Sequence, residues 1–281
     1  MAHHVRHRWF LALALTICAA GGCKSVEKMA APSNYRSWSP DQAVLPHAEF
    51  HGDKVTVRNI RYCKYLEADT YVVDYYDKTF DLKRLQSIDF FMIPFKMAPT
   101  LAHTMLSFEF AGEPGSPREH LAVSVEIRKE VGEVYMPWLG SARQYEIMYV
   151  VADERDVIQL RANHRDEDVY RYRTTATPEQ AQLLFVDVMQ RTNELATHPE
   201  FYDTITNNCT TNIVRHVNRI QPNRLTYDWR VLLPGYSDQL AYQQGLIERH
   251  GTFEETRAQA YVNPKAQLIA GREDYSELIR R

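Results

Sequence analysis

The feature that most constrains the fold is a long succession of segments in which apolar and polar side chains alternate, with helical signals only afterwards. Strand-like segments occur at residues 54–61, 70–73, 88–95, 101–110, 121–128, 145–151, 157–160 and 169–173. Thr177 then begins a capping box with proline at the first helical position, which predicts a helix to about Ala196. Further helices are predicted at 209–219 and 238–245. Many strands followed by helices predict an α+β fold, with an antiparallel sheet and packed helices.

The start of the chain carries an export signal. Arg6 and Arg8 precede an apolar stretch from Trp9 to Ala20, which is too short to span a bilayer as a stable helix. The stretch ends in Ala-Gly-Gly before Cys23. This ending resembles a bacterial lipoprotein lipobox. The resemblance implies that Cys23 becomes the lipid-modified first residue of the mature protein. An ordinary cleavable signal peptide is the alternative.

Composition divides the chain into three parts. A lipoprotein signal peptide is predicted at 1–22, a tether rich in Ser, Pro and Ala at 23–50 and a globular body from about residue 51. The family resemblance given below implies that the domain covers 51–262, which leaves a C-terminal tail at 263–281. No later segment approaches eighteen consecutive apolar residues, so we expect the body to be soluble and tethered. A formal net charge of −3 argues against nucleic acid as a partner. Because no C-x-x-C or H-E-x-x-H spacing occurs, neither a metal nor another cofactor is predicted.

Cys209 lies where a polar, Asn-rich turn becomes a predicted helix. Asn208 is a natural N-cap, and Ile213 and Val217 continue one apolar helical face from the cysteine. A helix N-terminus favours the thiolate, which is the nucleophilic form of cysteine. Two other interpretations stay open. Cys209 could be a small buried residue closing a core helix, or it could form a disulfide with Cys63.

A histidine that could serve this thiol lies on the predicted hairpin of 101–110 and 121–128. Alternation places His103 and Ser107 on one face of the first strand. The corresponding face of the second strand carries Ser124, Glu126 and Arg128. If the strands pair, His103 falls opposite the region of Glu126 and Arg128, which suits a base oriented by a carboxylate. The alternative is the solvated face of an edge hairpin.

Several of these segments match a known pattern. They are residues 102–108, 123–128, 145–156, 202–212 and 228–238. In order, they resemble the Lnb N-terminal periplasmic domain family over about residues 51–262. The resemblance implies a circularly permuted papain-like fold similar to NlpC/P60 enzymes, in which the histidine precedes the cysteine. It implies Cys209 as nucleophile, His103 as base and Glu126 as orienting group. Ser107, Ser124, Arg128 and Asn208 are predicted to bind substrate.

The function predicted from these features is that of a membrane-anchored thiol enzyme. Acyl transfer or hydrolysis on a lipid or lipoprotein ester is expected, at the outer membrane and facing the periplasm. The aromatic-rich segment 229–242 could line an acyl groove or simply pack against the last helix. Two further hypotheses are a cell-wall peptidase or amidase, since thiols also attack amides, and a non-catalytic outer-membrane lipoprotein.

Overall fold

A largely antiparallel sheet forms the centre of the computed structural model, which describes residues 31–134, 136, 142–226 and 228–281. The predicted signal peptide at 1–22 and Cys23 lie outside the described residues. The strands are β1 (His47–His51), β2 (Lys54–Arg61), β3 (Lys64–Glu67), β4 (Thr70–Val72), β5 (Tyr75–Asp81), β6 (Leu85–Phe95), β7 (Ala98–Phe110), β8 (Glu119–Arg128), β9 (Glu146–Ala152) and β10 (Tyr170–Arg173). The main sheet has the order β1-β2-β9-β8-β7-β6-β10, with β5 also paired to β2. Within it, β2 and β9 are parallel and the other pairs are antiparallel.

Helices cover both faces of this sheet. They are α1 (Glu154–Gln159), α2 (Pro178–Thr197), α3 (Cys209–Ile220), α4 (Trp229–Leu232), α5 (Ser237–Gln243), α6 (Phe253–Ala260), α7 (Asn263–Leu268) and α8 (Tyr275–Leu278). One apolar cluster joins the sheet to α2, α3 and α5, and the other joins it to α1, α7 and α8. The fold is therefore mixed α+β, as predicted.

The strands β7 and β8 are buried in the middle of the sheet. Their alternation is confirmed, since Leu106 and Phe108 pack into one cluster and Met105 into the other. The polar face is also buried, with His103 only 5% exposed and Ser107 fully covered. The interpretation of this hairpin as a solvated edge is therefore wrong, because α1, α7 and α8 add a layer over the polar face.

The predicted strand at 157–160 is also wrong. Its apolar residues belong to helix α1, which begins after Asp153, and to the π-helix Leu160–His164 that continues from it. The Asp153 side chain accepts a hydrogen bond from the backbone N–H of Arg155, as an N-cap does. A short apolar run is compatible with either element, and here the cap determines the structure.

The three predicted helices are present, the one at 238–245 as α5 (Ser237–Gln243), and two of their starts are confirmed in detail. Thr177 and Gln180 form a reciprocal capping box at the start of α2. Asn208 and Thr211 form another at the start of α3. Residues 263–281, separated from the domain in the sequence interpretation, form α7 and α8, which pack on the sheet.

Candidate active site

A cavity of about 400 Å³ lies where β7 and β8 separate. Their pairing ends at Met105 and Ser124, so the start of β7 and the end of β8 diverge from there. The lining includes neighbouring residues that point to opposite faces of the sheet, such as Ala102 and His103 on β7. The cavity therefore lies between the two strands, and groups from both faces reach it.

Cys209 lines this cavity at the first position of α3. Its Sγ lies 3.9 Å from the carbonyl oxygen of Ala102, the residue before His103. The adjacent Thr210 hydroxyl hydrogen-bonds the Thr104 hydroxyl at 3.0 Å, which joins the first turn of α3 to β7. The start of the helix is therefore fixed against the strand that carries the histidine.

The imidazole of His103 is held on one side by a short hydrogen-bond chain. Its Nε2 lies 2.6 Å from the Ser124 Oγ, and that hydroxyl donates to the Glu126 carboxylate at 2.6 Å. Since the single hydroxyl proton goes to the carboxylate, Nε2 must be the donor to Ser124. This arrangement leaves Nδ1 without a proton. Within the described residues no hydrogen bond is made by Nδ1, and none joins His103 to Cys209.

Burial and neighbouring charges shift the pKa values of His103 and Glu126 by different balances. Burial lowers the pKa of His103 to about 4, against the opposing effect of the Glu126 carboxylate. Burial acts to raise the pKa of Glu126, but His103, Arg161 and the Ser124 hydroxyl outweigh it and hold the pKa at about 2. At neutral pH the site therefore contains an ionised carboxylate and a neutral imidazole that can accept a proton.

Arg161 is a residue of the site that the sequence interpretation missed. It lies in the π-helix after α1, lines the cavity and contacts Glu126 at 3.1 Å and Glu167 at 3.1 Å. The acid-rich run that starts at the N-cap Asp153 was the signal for a helix here. If 157–160 is taken as a strand, the direction in which the side chain of the next residue, Arg161, points cannot be predicted.

The predicted site residues divide between the cavity and its surroundings. Cys209, His103, Glu126 and Asn208 line the cavity. Ser124 holds the imidazole, as described above. Ser107 and Arg128 do not line it. Ser107 donates to Glu154 at 2.5 Å, and the Arg128 guanidinium binds the carbonyl oxygens of residues 42 and 43 and the side chain of residue 34.

Asn208 also stabilises the turn that precedes Cys209. Its side-chain oxygen accepts from the backbone N–H of Thr211 at 2.8 Å, and its amide donates to the carbonyl of Thr204 at 2.7 Å. The side chain of Asp203 accepts from the backbone N–H groups of Ile205 and Thr206. The turn that delivers Cys209 is thus held by its own side chains.

The remaining described thiol, Cys63, is not paired with Cys209, since both cysteines are free and buried. Burial raises the pKa of Cys63 to about 12, and the nearby Asp156 acts in the same direction. A thiol with such a pKa stays protonated at neutral pH. Of these two cysteines, Cys209 is therefore the candidate nucleophile.

A second, apolar cavity of about 350 Å³ lies on the face of the sheet that α2, α3 and α5 cover. Its lining is mostly aliphatic and comes mainly from β6, β7 and these three helices. Thr210 lines this cavity, and its hydroxyl lies 3.8 Å from the Cys209 Sγ. Val231 of α4 lines the apolar cavity, whereas the next residue, Leu232, lines the first one. The thiol therefore lies between a polar and an apolar space.

His216, farther along α3, belongs to a different network. Its Nδ1 lies 2.5 Å from Asp187 and its Nε2 lies 2.8 Å from the Tyr149 hydroxyl. That hydroxyl also donates to Asn212, which in turn donates to the carbonyl of Asn208. The network ties α3 to α2 and β9 behind the cysteine.

Comparison with known families agrees with the sequence resemblance. Residues 71–235 match the Lnb N-terminal periplasmic domain family. Since this match covers more than half of the chain, the protein belongs to that family. No curated protein and no solved structure matches the chain.

Membership in a family of periplasmic domains supports a location in the cell envelope. Among the described helices, none combines the length and apolar character required to cross a membrane.

Proposed function

We propose that this protein is a membrane-anchored thiol enzyme that transfers or hydrolyses acyl groups through Cys209 and His103. The observation that carries the proposal is the shared cavity. It places a cysteine at a helix start beside a strand whose histidine has one ring nitrogen held by Ser124 and the other without a proton. This histidine–cysteine order and helix-on-strand placement also support the permuted papain-like classification.

The reaction follows from these groups. The Cys209 thiol gives its proton to Nδ1 of His103 as the sulfur attacks the carbonyl carbon of an ester. The oxyanion formed accepts a hydrogen bond from the backbone N–H of Cys209, which has no acceptor within the helix at this position. The alcohol then leaves with the proton from His103, and a thioester remains on the sulfur. Water or an amine resolves the thioester and returns the proton to the thiol.

The apolar cavity beside Thr210 supports an acyl ester as the substrate. Its volume of about 350 Å³ falls within the usual range of small-molecule sites, roughly 300–1,000 Å³. Aliphatic walls favour an alkyl chain over a charged ligand, because burying a charge without a partner is costly. In this proposal the ester carbonyl lies at Cys209 and the chain extends past Thr210.

The charged lining of the first cavity favours a second candidate, a cell-wall peptidase or amidase. Arg161, Arg165 and Lys129 line it together with acidic residues, a pattern that suits a peptide carrying carboxylates. Release of peptide fragments by the purified protein, with no transfer from acyl esters, would favour this candidate.

We further propose that Cys23 carries the lipid anchor and that the anchor lies in the outer membrane. The lipobox-like sequence before Cys23 and the residue Lys24 after it support this. Mass spectrometry of the mature protein tests the anchor directly, because an acylated N-terminal cysteine gives a defined increase in mass.

The first test of catalysis is the pH dependence of alkylation of Cys209 by iodoacetamide in wild-type protein and in His103→Ala. We expect wild type to react at lower pH, because a thiolate at Cys209 would raise the lowered pKa of His103 and be stabilised by the resulting imidazolium, and the midpoint to rise in the variant. Cys63→Ser in both backgrounds leaves a single thiol in the folded body. Incubation with an activated acyl ester should then add one acyl group to Cys209.

Two results would contradict the proposal. The first is a thiol whose alkylation is unaffected by His103→Ala. The second is an absence of acyl adduct in a protein whose circular dichroism spectrum shows that it is folded. Together they would leave a non-catalytic lipoprotein.

A further inference from the structure

Apolar side chains surround the mouth of the candidate active site on three separate segments. Met97, at the turn between β6 and β7, is 97% exposed and also lines the cavity. Ile205, in the turn before Cys209, is 57% exposed and follows Thr204, which lines the cavity. Trp229, Leu233 and Tyr236 are exposed on α4 and the turn after it, beside Leu232 and Pro234, which line the cavity. We call these five residues the apolar rim.

Tight packing holds the rim in place. A Cβ at Gly235 would lie only 2.0 Å from the carbonyl oxygen of Pro99, so the turn after α4 sits directly on the start of β7. The Trp229 and Tyr236 ring centroids are 5.2 Å apart. Exposed Trp and Tyr next to aliphatic side chains are typical of surfaces at a membrane interface, where such rings lie at headgroup level.

The tether leaves the body at this same end of the sheet. Ser33 donates to Glu146 at the start of β9, and Asn34 accepts from Arg128 at the end of β8. Asp41 then lines the candidate active site. From Ala31, the first described residue, to Cys23 is eight residues, which reach at most about 28 Å when extended. A lipid on Cys23 would therefore hold this end close to the bilayer.

We propose that the apolar rim docks on the bilayer surface, so that the mouth of the candidate active site faces the lipid headgroups. The docking is apolar rather than electrostatic, because the chain carries a formal net charge of −3 and bacterial membranes are themselves anionic. The inference rests on the lipid anchor of the proposed function, but not on the chemistry of Cys209.

Fluorescence quenching by lipid tests this docking. The lipidated full-length protein is reconstituted into phosphatidylethanolamine–phosphatidylglycerol vesicles that carry brominated acyl chains. Bromine quenches only tryptophans at the membrane, so we expect strong quenching in wild type and loss of most of it in Trp229→Phe. The double variant Leu233→Ser/Tyr236→Ser should reduce the quenching of Trp229. Leu183→Ser is the matched control, since Leu183 is 58% exposed on α2, outside the rim.

The outcomes distinguish the docking of the apolar rim from the lipid anchor on Cys23. Vesicle-bound protein whose quenching is the same in wild type and Trp229→Phe overturns the docking and leaves the anchor intact. Failure to sediment with vesicles overturns both the anchor and the docking. Neither result bears on catalysis. The Cys209→Ala variant removes the candidate nucleophile and should keep wild-type quenching, so it separates docking from catalysis.

Discussion

Ser124 connects the imidazole of His103 to the carboxylate of Glu126. Replacing it with alanine removes the shorter of two contacts of Nε2 and leaves only the Glu126 carboxylate, 3.2 Å away, so the ring and its tautomer are held less firmly. We expect Ser124→Ala to slow alkylation of Cys209 and acyl transfer severalfold, and to shift the pH profile toward that of His103→Ala.

Ser107 provides the matched control on the same face of the hairpin. Its hydroxyl donates to Glu154 outside the cavity. Ser107→Ala should lower the free energy of unfolding by about 1.5–3 kcal/mol, the value of a hydrogen bond to a charged group. Thiol reactivity should not change in the folded protein. A loss of reactivity equal to that of Ser124→Ala would contradict the role given to Ser124.

The lowered pKa of His103 makes stability depend on pH. Its folded value of about 4 lies below the unfolded value of about 6.5. Between these values the unfolded chain binds more protons, so the stabilising contribution is complete above pH 6.5 and is lost as pH falls toward 4. Urea denaturation of wild type and His103→Asn from pH 7.5 to 4.5 should show a steeper loss in wild type. If the free energy of unfolding fell equally with pH in wild type and His103→Asn, this titration of His103 would be contradicted.

At the scale of elements, the helix caps determine where the reactive groups lie. Asn208→Ala removes the N-cap of α3 and should lower the free energy of unfolding by about 0.5–2 kcal/mol. It should also slow alkylation, because the first turn carries Cys209. Thr252→Ala removes the comparable cap of α6, and Thr252 lines neither of the two cavities. Urea titration and alkylation of both variants check this, and equal reactivity in the two would contradict it.

Local signals explain how much of the fold could be predicted. The strands that form the candidate site and the two capping boxes follow from alternation and from side-chain chemistry within a few residues. Helix α1 does not follow from the apolar run at 157–160, because such a short run is compatible with a strand or a helix, and only the cap at Asp153 distinguishes them. The sequence does not predict β1, β3 or β5, because each has at most one buried side chain and therefore shows little apolar periodicity.

At the scale of the molecule, a cluster of buried charges holds the C-terminal helix on the sheet. Arg280 contacts Asp89 at 2.8 Å and Glu154 at 2.5 Å, and both carboxylates are fully buried. Arg280→Ala would leave the buried Glu154 without its ion-pair partner, whereas Asp89 keeps Arg171, and should cost about 3–5 kcal/mol of unfolding free energy. Urea denaturation measures this cost. Arg272→Ala is the control, because Arg272 and its partner Asp274 are both exposed and their separation should cost at most about 1 kcal/mol.

The features that the sequence could not predict depend on contacts between segments that are far apart in the chain. Alternation assigns His103 to one face, but no local pattern reveals that α1, α7 and α8 cover that face. Nor does it reveal that β7 and β8 separate beyond Met105 and Ser124. Cys209 packs on the opposite face from His103, so a correct assignment of faces by itself would have argued against their sharing a cavity.

The separation of β7 and β8 has a consequence for the timing of a reaction cycle. Many enzymes expose their reactive groups only when a lid or domain opens, and that motion often limits turnover. Here the opening is part of the sheet itself, because the strands already diverge in the resting fold. In the proposed reaction, a substrate would enter through this opening without a hinge motion. The rate of each turnover would then be set by chemistry and by delivery of the substrate rather than by gating.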